Sequence, residues 1–291
     1  MVIFNENFKS YFAGFFEGNG SFVIPEKQRD NEDRLLYAKI IITFDLKDKP
    51  LAECFCSHYG GHFEEHGALV FWNITKTDQI LAICSDINGF LRTPRIETFS
   101  KFIGFLKTQD TSIAFEVLPL DESSIGSNAW LSGYSDAKCS FKLNTYERKG
   151  GKKGVQITFM IEVKDYSYMI MVLNSENCST YTPICNTIAE FFDLGIFHRV
   201  RLRKYYLIVI SATAVKKNAK VIGYFEKYPL FSSKYLDYVD WREIHGMQEE
   251  KEHTTLDGFQ YCKEIKENFN KKRTTFSWDH LNNFYLKVNE K

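Results

Sequence analysis

Hydrophobic and polar residues along this chain follow two periods. Alternation over short runs predicts half-buried strands, and apolar residues three or four apart predict amphipathic helices. The predicted strands are residues 21–25, 36–44, 62–65 and 69–74, then 139–146, 155–163, 196–202 and 205–211. The predicted helices are residues 49–58, 78–87 and 94–106, then 181–192, 212–225, 235–246 and 255–268.

A short motif opens each half of this pattern. Residues 11–22 read YFAGFFEGNGSF and residues 130–141 read WLSGYSDAKCSF, 119 residues apart. Aromatic, glycine, acidic and Ser-Phe positions recur in the same order, and each motif reads as a helix. Because self-similarity at a fixed distance indicates a duplicated unit, we predict an α+β fold of tandem αββαββα repeats.

The repeat also sets the predicted domain organisation. Residues 1–108 form the first half and residues 128–248 the second, joined by a linker at 109–127. Residues 249–291 form a helical C-terminal extension. Small residues recur four apart within each motif helix, which favours close packing of two helix backbones: Gly14, Gly18, Gly133 and Ala137.

Composition narrows the class of protein. Hydrophobic residues make up 44% of the chain and aromatic residues 16%, enough for a large core. No apolar run approaches the roughly 18 residues of a membrane span, so no membrane partner is expected. The seven cysteines are odd in number and form no CxxC pair, which favours free thiols in a reducing compartment. The N-terminus lacks a signal or transit pattern, so we expect a protein of the cytosol or one made inside an organelle.

Charge is divided unequally between the halves. Residues 1–125 contain 12 Lys and Arg against 18 Asp and Glu, whereas the rest of the chain contains 25 against 19. A nucleic-acid-binding protein usually has a basic face. Only the second half can supply one here.

Both motifs, together with the segments NGFLRTPRIE (residues 88–97) and YFEKYPLFSSKYLDYVDW (residues 224–241), resemble the LAGLIDADG family of intron-encoded homing endonucleases and RNA maturases. The resemblance covers nearly the whole chain. It implies a monomeric pseudo-dimer in which two antiparallel four-stranded sheets form a saddle over double-stranded DNA. The two motif helices would then pack at the pseudo-twofold interface. It also implies an organelle-encoded protein of the mitochondrial matrix, since such proteins are commonly read from group I introns.

The sequence departs from this family at the positions that matter for cleavage. The eighth of the nine motif residues is normally Asp or Glu, and the two carboxylates hold divalent metal ions that activate water. Here FAGFFEGNG and LSGYSDAKC place Asn19 and Lys138 there. We therefore expect no catalytic residue, no metal site and no cofactor, and Mg²⁺ only if the chain is an active endonuclease. The sixth-position acids, Glu17 and Asp136, lie about 200° around each helix and belong to the support structure in the resemblance.

Basic residues of the second half are the candidate nucleic-acid contacts. Arg199, Arg201 and Arg203 alternate, so a strand places them on one face. Lys138 offers an ammonium group to a phosphate in place of a metal. The resemblance adds two lysines of the last helical segment, Lys227 and Lys234. The remaining candidates surround the 150–151 glycine turn or follow the C-terminal helix: Lys142, Arg148, Lys149, Lys152, Lys153, Lys271, Lys272 and Arg273.

A second run contains metal-ligand residue types but predicts no metal site. Cys54, Cys56, His58, His62 and His66 have a spacing that matches no zinc pattern. The run also crosses a predicted helix end, a turn and a strand, so the side chains should diverge.

Three functions are consistent with these patterns. The first is an RNA-binding protein that has lost DNA cleavage, an intron maturase or RNA-stabilising protein that binds a group I intron or ribosomal RNA. The second is an active, site-specific intron-homing endonuclease that binds double-stranded DNA. The third is a scaffold subunit of an organellar ribonucleoprotein, such as the mitochondrial ribosome, with other ribonucleoprotein subunits as partners.

Overall fold

The chain forms two four-stranded antiparallel sheets, one from each sequence repeat. The computed structural model describes residues 6–27, 29, 32, 36–147, 153–165, 180–201 and 205–285. Both sheets have the same strand order, in which the first two strands of the repeat are followed by the fourth and then the third. The predicted α+β fold of tandem repeats is confirmed.

The first repeat starts with the motif helix, which runs directly into the first strand. Its elements are α1 (Glu6–Asn19), β1 (Gly20–Val23), β2 (Lys39–Asp45), α2 (Lys49–Tyr59), β3 (His62–His66), β4 (Leu69–Ile74), α3 (Thr77–Ile87) and α4 (Arg95–Gln109). Ile40, Ile42 and Phe44 are buried, whereas the alternate residues Ile41 and Thr43 are partly exposed. One face of the sheet therefore packs in the core, and we call the opposite one its outer face.

The second repeat has the same order of elements. They are α5 (Trp130–Lys138), β5 (Cys139–Glu147), β6 (Lys153–Asp165), α6 (Thr182–Phe191), β7 (Ile196–Arg201), β8 (Tyr205–Ala212), α7 (Val215–Lys227) and α8 (Lys234–Glu249), followed by α9 (Leu256–Glu267) in the C-terminal extension. Phe141, Leu143, Ile157 and Phe159 are buried on the core face of this sheet. The pattern predicted these strands because their core face alternates with more polar positions.

The chain divides into two compact units at a place that the sequence did not predict. Unit 1 is Met1–Ala137 with Asn283–Lys291, and unit 2 is Lys138–Asn282. The predicted linker at 109–127 lies within unit 1, since α5 packs with α1 in that unit. The end of the predicted 249–291 extension also belongs to unit 1, where the Phe284 ring lies 5.8 Å from both the Phe8 and the Tyr11 rings.

Helices α1 and α5 pack with their backbones in contact. A Cβ added to Gly14 would collide with the carbonyl oxygen of Trp130, and one added to Gly133 would collide with that of Tyr11. Gly14 and Tyr11 of the first motif occupy the same motif positions as Gly133 and Trp130 of the second. The contact is therefore pseudo-twofold, and only glycine fits at its centre.

The described helices and cysteines relate to the membrane and disulfide predictions. No helix within the described ranges is both long enough and apolar enough to cross a membrane. The six cysteines that lie in described residues carry free thiols.

Replacing Gly133 by Ala should destabilise unit 1 by about 1–3 kcal/mol or more, because the new methyl group meets rigid backbone of the partner helix. Equilibrium unfolding in urea measures this loss. The matched control is Gly104→Ala in the exposed middle of α4, where an added Cβ meets nothing within 4 Å. That change should be neutral or stabilising by up to about 1 kcal/mol, as expected from helix propensity. Equal effects of the two substitutions would contradict the proposed backbone contact.

Candidate nucleic-acid interface

The two degenerate motif positions lie at equivalent helix ends. Asn19 is the last residue of α1 and Lys138 the last residue of α5, and each is followed directly by the first strand of its repeat. Asn19 is half-buried and Lys138 is exposed. An amide and an ammonium group supply no negative charge, whereas Mg²⁺ is bound by charged oxygen ligands. Neither helix end therefore offers the carboxylate that a metal ion requires.

A guanidinium group that the sequence reasoning missed lies at the end of α1. Arg95 Nη1 donates hydrogen bonds to the carbonyl oxygens of Gly20 and, at 3.4 Å, of Phe16. A cation is favoured at a helix C-terminus because the helix dipole is negative there. Its carbonyl partners flank Asn19 in the chain, so Arg95 adds positive charge beside this position and opposes binding of a dication.

The sixth-position acid of the first motif is buried in the support structure. Glu17 accepts hydrogen bonds from the Trp130 indole at 2.7 Å, from the Thr93 hydroxyl at 2.6 Å and from the Arg92 and Thr93 backbone amides at 3.0 and 2.8 Å. Burial raises the pKa of the Glu17 carboxyl, and the bonds from Thr93, Arg92 and Trp130 act in the opposite direction. Glu17 thus ties α1 to α5 and to the segment before α4.

The sixth-position acid of the second motif, Asp136, is bonded to a residue of the first motif helix. The Tyr11 hydroxyl donates to Asp136 Oδ2 at 2.5 Å. Burial raises the pKa of Tyr11 well above its usual value, and the Asp136 carboxylate raises it further, so the phenol stays protonated and donates. Both sixth-position acids are engaged in helix packing, as their position around the helix suggested.

The Cys and His run separates onto two elements. Cys54, Cys56 and His58 lie on α2, whereas His62 and His66 lie on β3. Among the residues described by the structure, no group of three or more His, Cys, Asp or Glu side chains is arranged to hold a metal ion.

The outer face of the second sheet carries positive charge on both edge strands and on the inner strand β6. Strand register places Arg199 of β7 and Lys164 of β6 on either side of Leu207, and Lys142 of β5 opposite Thr158, all on one face. Arg199 forms an ion pair with Glu162 on the same face, at 3.0 Å. The sequence predicted Arg199 and Lys142 but missed Lys164, although it alternates with the buried Ile161 and Val163.

Between these cations the outer face is apolar. Met160, Leu207 and Val209 form a buried cluster at its centre, and the Lys142 ammonium group lies 3.0 Å from the Met160 sulfur. Phe197 on β7 is 42% exposed, and the Arg199 guanidinium lies 5.9 Å from its ring centre. Cations beside exposed aromatic surface are suited to binding nucleic acid, since the cations contact phosphates and the aromatic rings stack on bases.

The outer face of the first sheet lacks this character. Glu64 lies between His62 and His66, with N–O distances of 3.4 and 3.8 Å, and Asp45 is exposed at the end of β2. Lys39 is the permanently charged cation on the described strands of this face. Phosphate binding depends on cations, so we expect this face to contribute little.

The remaining predicted nucleic-acid contacts differ from one another in their neighbours and in their position in the fold. The Lys153 ammonium group lies 5.3 Å from the Phe259 ring centre and that of Lys227 lies 4.8 Å from the Tyr228 ring centre. Lys234 begins α8 and Arg201 ends β7. Four candidates lie outside the described residues: Arg148, Lys149, Lys152 and Arg203.

Arg273, a predicted phosphate contact, is held by two carboxylates. Its guanidinium pairs with Asp237 at 3.0 Å and with Asp240 at 2.6 Å, both on α8. The side chain is 13% exposed and the Asp237 carboxylate 5%. A half-buried pair with two carboxylates leaves little of the guanidinium for a phosphate, so Arg273 anchors the C-terminal extension.

Comparison with known proteins identifies relatives over most of the chain. A family model described as LAGLIDADG endonuclease matches residues 12–106 and 131–245. The intron-encoded DNA endonuclease aI3 of Saccharomyces cerevisiae is 28% identical, over 95% of this chain and 72% of the relative. The probable intron-encoded endonuclease 4 of Neurospora crassa is 26% identical, over 91% of this chain and 44% of the relative. The uncharacterized cox1 intron-2 37.2 kDa protein of Schizosaccharomyces pombe is 25% identical, over 89% and 72%.

Solved structures share the fold. The I-SmaMI LAGLIDADG homing endonuclease bound to cleaved DNA superposes with a TM-score of 0.74 at 19% identity, over 91% of this chain and 97% of that one. The LAGLIDADG homing endonuclease I-GzeII in complex with its DNA target gives 0.71 at 20% identity, over 91% and 99%.

Replacing Trp130 by Phe should destabilise the protein more at about pH 7.5 than at about pH 5. The indole hydrogen bond lowers the pKa of Glu17, so its loss raises that pKa further above the unfolded value. A carboxyl with a raised folded pKa contributes stability at low pH that is lost as pH rises through the folded pKa. Each unit of additional pKa shift adds about 1.4 kcal/mol to the difference.

Thermal or urea unfolding at both pH values measures this effect. The matched control is Trp72→Phe, since Trp72 is equally buried and donates to the neutral carbonyl of Gly60 at 2.8 Å. Its cost should not vary with pH. A pH-independent cost for Trp130→Phe would contradict the interaction with an ionised Glu17.

Proposed function

The chain belongs to the LAGLIDADG endonuclease family, and from this we propose that it is a nucleic-acid-binding member that does not cleave by the metal-dependent chemistry of the family. We further propose that its ligand is a structured RNA, either a group I intron or ribosomal RNA, which it binds as a maturase or stabilising protein. The fold is intact in both repeats. The chain differs from the family motif in the side chains at the ends of α1 and α5.

The observation that carries the proposal is the pair Asn19 and Lys138. Each lies at the end of a motif helix, where a carboxylate would hold the metal ion. Replacement of two carboxylates by an amide and an ammonium group removes the negative charge that attracts a dication, and Arg95 adds a cation at the end of α1. The acids that remain in the motifs, Glu17 and Asp136, are occupied by buried hydrogen bonds.

The unequal charge of the two outer faces supports RNA as the ligand. On the outer face of the second sheet Lys142, Lys164 and Arg199 outnumber Glu162. On that of the first sheet Asp45 and Glu64 oppose Lys39. Long duplex DNA is bound through phosphates along its length. A folded RNA of irregular shape is held by one face, through phosphates and 2′-hydroxyls.

The names of the relatives favour an active DNA endonuclease as the second candidate. One is named an intron-encoded DNA endonuclease, and the solved structures contain DNA. This function requires metal ligands that supply the negative charge missing at positions 19 and 138. A relative named for a cox1 intron supports our inference that the chain works in the mitochondrial matrix.

We expect the purified protein to bind structured RNA at physiological salt with the same affinity in Mg²⁺ and in EDTA, provided that the RNA itself remains folded. Mobility-shift assays measure the affinity, with a duplex DNA library as competitor. Incubation of the same library with Mg²⁺ should leave it uncut. Mg²⁺-dependent cleavage of a DNA site would contradict the proposal and support the second candidate.

Arg199→Ala should weaken RNA binding roughly tenfold to a hundredfold, since a hydrogen bond to a charged group contributes about 1.5–3 kcal/mol. It should also lower the slope of log affinity against log salt by about one. Lys39→Ala, on the outer face of the first sheet, is the control and should change affinity by less than about twofold. Equal losses from both substitutions would show that binding is not confined to the second sheet.

A further inference from the structure

A hollow of about 300 Å³ in unit 2 is lined by four lysines and by no acidic residue. Lys142 comes from the edge strand β5 and Lys266 from the last turn of α9. Lys271 and Lys272 come from a short 3-10 turn, Asn270–Lys272, that follows α9. We call this group the lysine hollow. Most of it lies beyond residue 245, where the family match ends.

The turn that presents two of these lysines is fixed from several sides. The Asn270 backbone amide donates to Asp237 at 3.0 Å, and its side-chain amide donates to the Phe141 carbonyl at 2.8 Å. Phe269 is buried before it, and Arg273 is held by Asp237 and Asp240 behind it. Asn270 has a φ of 56°, in the left-handed region that asparagine tolerates. The hollow is therefore preorganised, which limits the entropy lost on binding.

One carboxylate, Glu267, interacts with two of the four lysines, Lys272 and Lys266, so most of the positive charge in the hollow is not compensated locally. Within the described residues, Lys272 is the one lysine of the four with an ion-paired carboxylate, Glu267 at 2.7 Å. Lys142 contacts the Met160 sulfur, and Lys266 donates to the Thr145 hydroxyl at 3.3 Å. Like charges gathered in one hollow repel each other, and a bound anion relieves that repulsion.

The hollow adjoins the outer face of the second sheet. Lys142 and Asn144 alternate with the buried Phe141 and Leu143, so they lie on the outer face that carries Arg199. β5 is an edge strand of this sheet. A chain of phosphates that crosses the outer face toward β5 thus reaches the hollow next.

We propose that the lysine hollow binds one or two phosphodiester groups of the RNA held on the second sheet. This inference rests on the proposed function and adds a contact site outside the sheet. The ammonium groups neutralise the phosphates, and the Asn144 and Asn270 amides line the same space. The volume is sufficient for a sugar–phosphate segment but not for a duplex.

Affinity variants test the site. Lys271→Gln and Lys266→Gln should each weaken binding of structured RNA roughly threefold to tenfold and lower the salt slope by about one. The matched control is Lys216→Gln, an exposed lysine on α7 of the same unit, which should leave both quantities unchanged. If all three variants bind RNA as tightly as the unsubstituted protein does, phosphate binding in the lysine hollow is overturned. The proposed function is then left intact.

A footprint gives a readout that does not require the natural target. The full-length protein is acetylated with and without a short oligouridylate at low salt, and modified lysines are located by mass spectrometry. Lys266 and Lys271 should be protected, whereas Lys216 should stay reactive. If Lys266 and Lys271 stay reactive in the bound protein, phosphate binding in the lysine hollow is overturned and the proposed function is not. Failure of the protein to bind either oligouridylate or structured RNA would overturn both the hollow and the proposed function, and protection by duplex DNA but not RNA would overturn RNA as the occupant.

Discussion

The backbone contact between α1 and α5 constrains the rest of unit 1. At Gly14 and Gly133 the two helices approach closely enough that a methyl group would meet the carbonyl oxygen of the partner. Once this contact is made, Glu17 reaches the Trp130 indole and Asp136 reaches the Tyr11 hydroxyl. Those buried bonds hold the two motif helices together. The fold consequently needs the glycines and the sixth-position acids whether or not a metal ion is bound.

This separation of roles explains how the family fold is compatible with the loss of cleavage that we propose. The carboxylates that support packing are present, and the carboxylates that would hold metal are replaced by Asn19 and Lys138 at exposed or half-buried helix ends. A substitution at such an end costs little stability because it breaks no core contact. A substitution at Glu17 leaves buried donors of Trp130 and Thr93 without a partner, which is costly. In our account, nucleic-acid binding depends on the cations of unit 2.

Sequence patterns predicted the elements and the repeat well because strand alternation and helix spacing are local. The boundary between the compact units differs from the predicted linker at 109–127, because it depends on the contact of α5 with α1, between residues about 119 positions apart. Arg273 was predicted as a phosphate contact. The sequence did not indicate its carboxylate partners, Asp237 and Asp240, because they lie on another helix. Arg95 and Lys266 were missed for the same reason, since only tertiary structure places them at a helix end and in a hollow. The roles of the lysines on the second sheet remain predictions.

Sequencing of nucleic acid crosslinked to the protein in its own organelle tests the central claim most directly. Our account predicts that the reads concentrate on one structured RNA, an intron or a ribosomal RNA, with crosslinks to peptides of the second sheet. Reads confined to a short genomic DNA site, with cut ends at that site, would contradict it. In that case the side chains at positions 19 and 138 would have to be compatible with cleavage after all.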